Sequence, residues 1–363
     1  MKVLILTGRF GMGHYAVART LVQEVQQAYP TASIVTEDIF EYMLSDGADR
    51  LYDAYTLLVN RGRALYNLFY RSTQRSAHAG DPMLVRLCLR RMDEMMGQFA
   101  PDVILSTLPF CSQLVSTYKR KTGNRTPLMT CVTDVTTHAD WVAPGTDVYF
   151  VASEETRQGL VALGVPAGAI HVTGIPVQEA FHKVNRRPKG DERELLLMGG
   201  GLGLLPKERA FYRELDALPR VHTTVLTGRN EALFDKLYGQ FEHMDVVGYT
   251  QDVPCYMAKA DLVVTKPGGI TLFETIHAEL PILAFTPGLA QERQNAAFIQ
   301  RQQLGEVLRG HPSHCVAEIG RLLEDERTLR RMRDNMCRLK SSLDGGALTR
   351  MLGALTQRRV WAS

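Results

Sequence analysis

Long apolar runs and an excess of one charge sign are both scarce in this sequence. No apolar run reaches the roughly 18 residues that span a bilayer, so no membrane-spanning helix is expected. Met1-Lys2-Val3-Leu4-Ile5-Leu6 enters a strand-like run directly, without the longer apolar stretch and cleavage site of a signal peptide. Lys and Arg number 42 against 39 Asp and Glu, a formal net charge of +3. That balance excludes a surface that grips nucleic acid throughout, and it leaves room for a local basic patch. The six cysteines, Cys88, Cys111, Cys131, Cys255, Cys315 and Cys337, form no C-x-x-C pair. Neither a zinc site nor a redox motif is indicated, and reduced thiols in a cytosolic protein are expected. Short-period repeats, low-complexity tracts and a D-x-D motif placed to hold a divalent ion are also missing.

What is present is ordinary globular material. The chain has 363 residues, 45% hydrophobic and 22% charged. This excludes a disordered tail, a fibre or a disulfide miniprotein, and the length suggests about two domains. Strand-length apolar runs alternate with helix-like stretches. The first series is Val3 to Leu6, Ser33 to Glu37, Val103 to Ser106, Leu128 to Val132 and Val148 to Ala152. The second is Leu195 to Met198, Thr223 to Thr227, Leu262 to Thr265 and Ile282 to Phe285. Alternating βα units favour parallel sheets covered by helices, hence an α/β fold. The polar, Pro- and Gly-bearing stretch 183–194 is the expected linker. It separates an N-terminal Rossmann-like domain, 1–182, from a C-terminal one, 195–340, with a C-terminal helix in 341–363. Two such halves imply a cleft between them.

A glycine turn opens each half. The first reads Thr7-Gly8-Arg9-Phe10-Gly11-Met12-Gly13-His14-Tyr15-Ala16. A P-loop fails here, because His14-Tyr15 replaces the required Lys-Ser/Thr. A dinucleotide site stays open, since Gly11, Gly13 and Ala16 fit G-x-G-x-x-G/A and the acids Glu37 and Asp38 follow at about the right distance. The corresponding function would be an NAD-dependent oxidoreductase. The third reading is a sugar-acceptor loop with His14 as a base, suited by a pKa near 6.5. A histidine bonded locally at a helix start competes with it. The second turn, Gly199-Gly200-Gly201-Leu202-Gly203, can offer backbone N–H groups to phosphate from a loop before a helix starting near Pro206. Farther on, Lys266-Pro267-Gly268-Gly269 leads into a helix carrying Glu274, whose carboxylate can take both hydroxyls of a ribose. A favourable charge near a helix N-terminus is its simpler role. Gln291 and Glu292 follow the next strand end, where they could read sugar hydroxyls or merely begin a solvated helix.

In order and spacing these motifs resemble the monogalactosyldiacylglycerol synthase and processive diacylglycerol glucosyltransferase family. That family lies within the two-domain GT-B glycosyltransferases. The resemblance spans nearly the whole chain. It is carried by Gly11-Met12-Gly13-His14, by Thr133-Asp134 with His138 and Trp141, and by Tyr149 to Glu154 and Val172 to Val177. Gly199 to Gly203, Lys266 to Gly269 with Glu274, and Pro287-Gly288 with Gln291-Glu292 complete it. It implies a GT-B fold and an inverting transfer of a hexose from UDP-glucose or UDP-galactose to diacylglycerol or a glycosyldiacylglycerol. A polyprenyl-linked acceptor is the nearer rival. His14 and Asp134 would be catalytic, and Gly11, Gly13, His14, His138 and Trp141 would meet the acceptor. Gly200, Gly201, Gly203, Tyr249, Gly268, Gly269, Thr271, Glu274, Gln291 and Glu292 would hold the donor. No metal and no other cofactor would be required. The chain departs from the family's usual Pro-Gly-Gln-Glu by inserting Leu289-Ala290.

A lipid acceptor calls for a membrane-facing surface. Residues 61–91 hold seven arginines, among them Arg61, Arg63, Arg71 and Arg75, against the single acid Asp81. Tyr66, Phe69 and Tyr70 interleave with them. Such a stretch suits an interfacial helix on anionic lipid, and a solvated helix with its apolar face in the core competes. The expected setting is the cytoplasmic face of the cell membrane, as a peripheral protein with no nucleic-acid partner.

Overall fold

The computed structural model describes residues 1–10, 12–44, 47–61, 83–184, 192–310 and 315–360. The chain forms two units. One comprises residues 1–178, 289–291 and 343–363, and the other 179–288 and 292–342. Residues 185–191 of the expected linker lie outside the described residues.

The first unit is built on six parallel strands: β1 (Lys2–Thr7), β2 (Ser33–Asp38), β3 (Val103–Ser106), β4 (Leu128–Cys131), β5 (Val148–Val151) and β6 (Ile170–Val172). Their order is β2-β1-β3-β4-β5-β6. Helices on both faces bury β3, β4 and β5 completely, which is why these read as unbroken apolar runs. Helix α1 (Met12–Ala28) follows β1. The C-terminal helix, Ala347–Val360, belongs to this unit; Tyr29 Oη of the segment after α1 donates to the Thr349 carbonyl at 3.0 Å.

The second unit repeats the plan with β7 (Arg193–Met198), β8 (Val221–Leu226), β9 (Met244–Val247), β10 (Leu262–Thr265), β11 (Ile282–Ala284) and β12 (Gly305–Val307). The order is β12-β11-β10-β7-β8-β9, again parallel where paired. Its core gathers Leu195, Leu197, Phe211, Tyr212, Leu262, Val264 and Ile319. The helix expected near Pro206 begins at Arg209 instead. Pro206 lies in the approach, where its carbonyl accepts from Tyr212 Oη at 2.7 Å.

Topology locates the ligand ends. In each sheet the strand order reverses once, between β1 and β3 and between β10 and β7. Open parallel sheets bind ligands beyond the strand ends at such a reversal. The loops there are 8–10 and 107–108 in one unit, and 199–208 and 266–268 in the other. Among the described residues no helix is long and apolar enough to cross a membrane.

Candidate active site

In the first unit, the turn after β1 is held by a polar latch. Asp38, 4% exposed at the end of β2, accepts from Tyr52 Oη at 2.6 and 2.8 Å and from Tyr15 Oη at 3.3 Å. Tyr52 Oη in turn accepts the Arg9 backbone N–H at 3.0 Å. The Arg9 guanidinium lies 3.7 Å from Asp38, pairs with Asp49 at 3.2 Å and bonds Glu41. Asp38 is therefore occupied within the fold, and the phenols and N–H groups around it leave it no role on a cofactor ribose. The dinucleotide reading loses Asp38 as its acid.

His14 sits in the first turn of α1, partly exposed. Its Nδ1 lies 2.7 Å from the Thr107 carbonyl and 3.1 Å from Thr133 Oγ1. A carbonyl only accepts, so Nδ1 carries the hydrogen and donates. In the neutral ring the lone pair is then on Nε2. Burial lowers the His14 pKa below its ordinary value, while the nearby Asp134 carboxylate and the bond to Thr107 act in the opposite sense. The ring is thus a neutral base near pH 7 beside a carboxylate that favours the protonated form.

Asp134 is fixed from behind. Trp141 Nε1 donates to its Oδ2 at 2.8 Å, and Trp141 itself is 1% exposed, packed with Val132, Tyr149 and Val151. His138 is 3% exposed at the start of the turn Ala139–Trp141, where its Nδ1 accepts from the Asp140 N–H at 3.2 Å. Both side chains support the turn that carries Asp134. Gly13 precedes His14 in α1, and Gly11 lies outside the described residues. Of the basic and aromatic set, Arg63, Tyr66, Phe69, Tyr70, Arg71 and Arg75 also lie outside them. Arg61 ends the helix Ala48–Arg61.

In the second unit, the glycine turn is tied to the loop after β8. Gly200 and Gly203 have φ of +69° and +60°, the left-handed region. A Cβ on Gly203 would stand 1.7 Å from the Thr227 carbonyl oxygen, and one on Gly199 2.4 Å from the Leu204 nitrogen. Gly200 faces open space. Asn230 Nδ2 donates to the Gly203 carbonyl at 3.0 Å, and the Arg229 N–H donates to the Gly201 carbonyl at 3.1 Å. Tyr249, 51% exposed, lies under the Arg229 guanidinium, 5.3 Å from its ring centroid.

The loop after β10 is braced in turn. Gly268 caps the helix Gly269–His277, and its carbonyl accepts the first intrahelical bond from Leu272 at 2.9 Å. The N–H groups of Gly269, Ile270 and Thr271 come before that bond and point from the helix N-terminus. Thr271 and Glu274 are partly exposed. Burial pushes the Glu274 carboxyl up to about 7, and no hydrogen bond to it occurs among the described residues. Gln291 and Glu292 begin the helix Ala290–Arg301. Glu292 is 7% exposed, pairs through Oε1 with Lys266 Nζ at 2.6 Å and accepts the Gly288 N–H on Oε2 at 3.0 Å. Asn295 Nδ2 donates to the Pro267 carbonyl at 2.9 Å. Glu292 and Asn295 therefore fix the loops at 266–268 and 288.

The sequence reading missed Thr107, Arg229, Asn230 and the bracing by Lys266 and Asn295. Thr227-Gly228-Arg229-Asn230 does follow a strand end and contains a glycine, the same signal used elsewhere.

Residues 14–177 match the family described as monogalactosyldiacylglycerol (MGDG) synthase, and residues 196–341 the glycosyltransferase family 28 C-terminal domain. A processive diacylglycerol beta-glucosyltransferase of Bacillus cereus (strain AH187) is 30% identical over 352 residues, covering 92% of this chain and 89% of that one. The protein of the same name from Bacillus subtilis (strain 168) is 27% identical over 360 residues, covering 92% and 90%. Among solved structures, MurG of Acinetobacter baumannii superposes with a TM-score of 0.64 at 16% identity, covering 98% of this chain and 99% of that one. This last likeness is one of fold.

Proposed function

The chain belongs to the monogalactosyldiacylglycerol synthase and processive diacylglycerol glucosyltransferase family of GT-B glycosyltransferases, and from that membership we propose what it transfers and how. A hexose moves from UDP-glucose or UDP-galactose to the hydroxyl of diacylglycerol or a glycosyldiacylglycerol, with inversion. The acceptor oxygen forms a bond to the anomeric carbon. The bond from that carbon to the β-phosphate oxygen breaks, and its electron pair stays on UDP. The hydroxyl proton goes to His14 Nε2.

The observation that carries this reading is the fixed orientation of His14. Its Nδ1–H is committed to the Thr107 carbonyl at 2.7 Å, so the free lone pair is Nε2. As the proton arrives, the ring becomes an imidazolium beside Asp134, which favours that form. The second unit supplies the other requirement. N–H groups of the 199–203 turn and of the helix starting at Gly269 suit a diphosphate, and Glu274 suits the ribose diol. The scheme calls on no metal.

The lipid acceptor extends the proposal to an anionic membrane surface, with the protein peripheral on the cytoplasmic face. The support is the seven-to-one excess of arginine over acid in 61–91. Each basic side chain near such a surface contributes about 1 kcal/mol. Mass spectrometry of lipids, after incubation with each UDP-sugar and either diacylglycerol or a polyprenyl-linked sugar, tests the reaction. Hexosyl-diacylglycerol is expected; product on the polyprenyl acceptor alone overturns the lipid assignment. Flotation with liposomes of graded anionic content tests docking, and equal, negligible binding to all of them removes it.

A further inference from the structure

We propose that Arg229 is a catalytic residue that binds the diphosphate of the nucleotide and meets the negative charge gained as the sugar leaves. This rests on the UDP-sugar reading above and adds a residue to it.

Geometry puts Arg229 against the phosphate-facing turn. Gly228 before it has φ of +55°, and a Cβ there would lie 2.7 Å from the Gly201 carbonyl oxygen and 2.9 Å from that of Gly200. The Arg229 N–H donates to the Gly201 carbonyl at 3.1 Å. The backbone of residue 229 is therefore locked to the glycine turn itself. Both turns lie beyond the strand ends of one sheet, after the paired strands β7 and β8.

The side chain is exposed, yet it is held. Its guanidinium lies over the Tyr249 ring at 5.3 Å. Stacking occupies the flat face and leaves the N–H donors on the edge free to pair with oxygen anions. A held guanidinium loses less freedom on binding than a free one.

Its charge is also unspent. Among the described residues no carboxylate pairs with Arg229. The contrast with two other loop cations is plain. Lys266, after β10, is neutralised by Glu292 at 2.6 Å. Arg9, in the other glycine turn, has Asp38, Glu41 and Asp49 around it. A cation left without an acid, beside N–H donors and an aromatic ring, fits an anionic ligand better than a structural ion pair. When the anomeric carbon–oxygen bond breaks, the electron pair ends on the β-phosphate. A preorganised donor at that oxygen is worth about 100- to 1,000-fold in rate.

The test is calorimetry of the whole chain with UDP and with uridine, at low and high salt, alongside transfer kinetics. For Arg229→Gln we expect UDP to bind about 10- to 100-fold more weakly, with uridine changed less than about twofold. We expect kcat to fall about 100-fold. UDP binding by the wild type should weaken with salt more steeply than that by Arg229→Gln. Arg229→Lys keeps the charge, so it should recover part of the UDP affinity and most of the salt response. Unchanged UDP affinity in Arg229→Gln, or an equal loss for UDP and uridine, overturns the assignment while leaving the UDP-sugar reading intact. A wild type that binds neither ligand overturns both.

Discussion

The two glycine turns share a pattern of strand, glycines and helix, and they use it differently. In the first, the charged groups are neutralised inside the fold. Arg9 meets three carboxylates, and Asp38 takes two phenols and two backbone N–H groups. What remains is a neutral imidazole with its tautomer set by Thr107. In the second, backbone packs on backbone: Gly203 fits against Thr227 and Gly228 against Gly201 with no room for a side chain. That packing leaves N–H donors at the turn, with a guanidinium that no carboxylate among the described residues pairs. In the proposed reaction one turn takes a proton and the other holds charge. A glycine motif thus states where a ligand can approach, and the side chains bonded around it state what happens there.

This comparison can be broken by separating the two tasks. The largest effect should come from His14→Ala: transfer falls about 10²- to 10⁴-fold while UDP affinity, measured by calorimetry, is unchanged. Turnover at the wild-type rate would remove His14 from the chemistry. Next is Gly203→Ala, which places a Cβ 1.7 Å from a backbone oxygen at φ +60°. It should cost about 3–5 kcal/mol in thermal melts and abolish UDP binding. Gly200→Ala, with φ +69° but open space, should cost only about 1–2 kcal/mol. Equal costs at the two positions would mean that conformation, not close packing, rules the turn.

Smaller effects concern protons. Transfer by the wild type should lose its rate only below the ordinary histidine range, because burial lowers the His14 pKa. Asp134 opposes that lowering, so Asp134→Asn should move the acid limb to still lower pH. It should also cut the plateau rate about tenfold. An acid limb that moves upward would contradict the role given to Asp134. Glu274, at about 7, must ionise to accept two ribose hydroxyls. Uridine affinity should therefore rise by up to about tenfold from pH 6 to 8 in the wild type, and stay flat in Glu274→Gln. A wild type as flat as the variant would take Glu274 away from the ribose.

Much of the fold was legible because central strands of parallel sheets are apolar on both faces. Val103–Ser106 and Leu262–Thr265 were read to the residue. The strands that escaped are Ile170–Val172, Met244–Val247 and Gly305–Val307, each at a sheet edge. Ile-His-Val, Met-Asp-Val-Val and Gly-Glu-Val are too short and mixed to show a run. They become strands through pairing with a neighbour, which no local pattern encodes. The site follows the same division. His14, Asp134 and Glu274 were named from motif positions. Thr107 was not, because it is 93 residues from His14 and offers only a backbone carbonyl, which every residue has. Nor could Glu292 be seen as a partner of Lys266, since two strand ends must first be brought together.

The sequence by itself determined the βα alternation, the two glycine turns and the family, since apolar period and local spacing are properties of neighbouring residues. Only the tertiary structure decided which charges are spent and which are free. Arg9 and Lys266 are neutralised, Arg229 meets no carboxylate among the described residues, and His14 presents Nε2 instead of Nδ1. Those outcomes depend on groups far apart in the chain meeting at hydrogen-bond distance, where electrostatics is settled by a few ångströms.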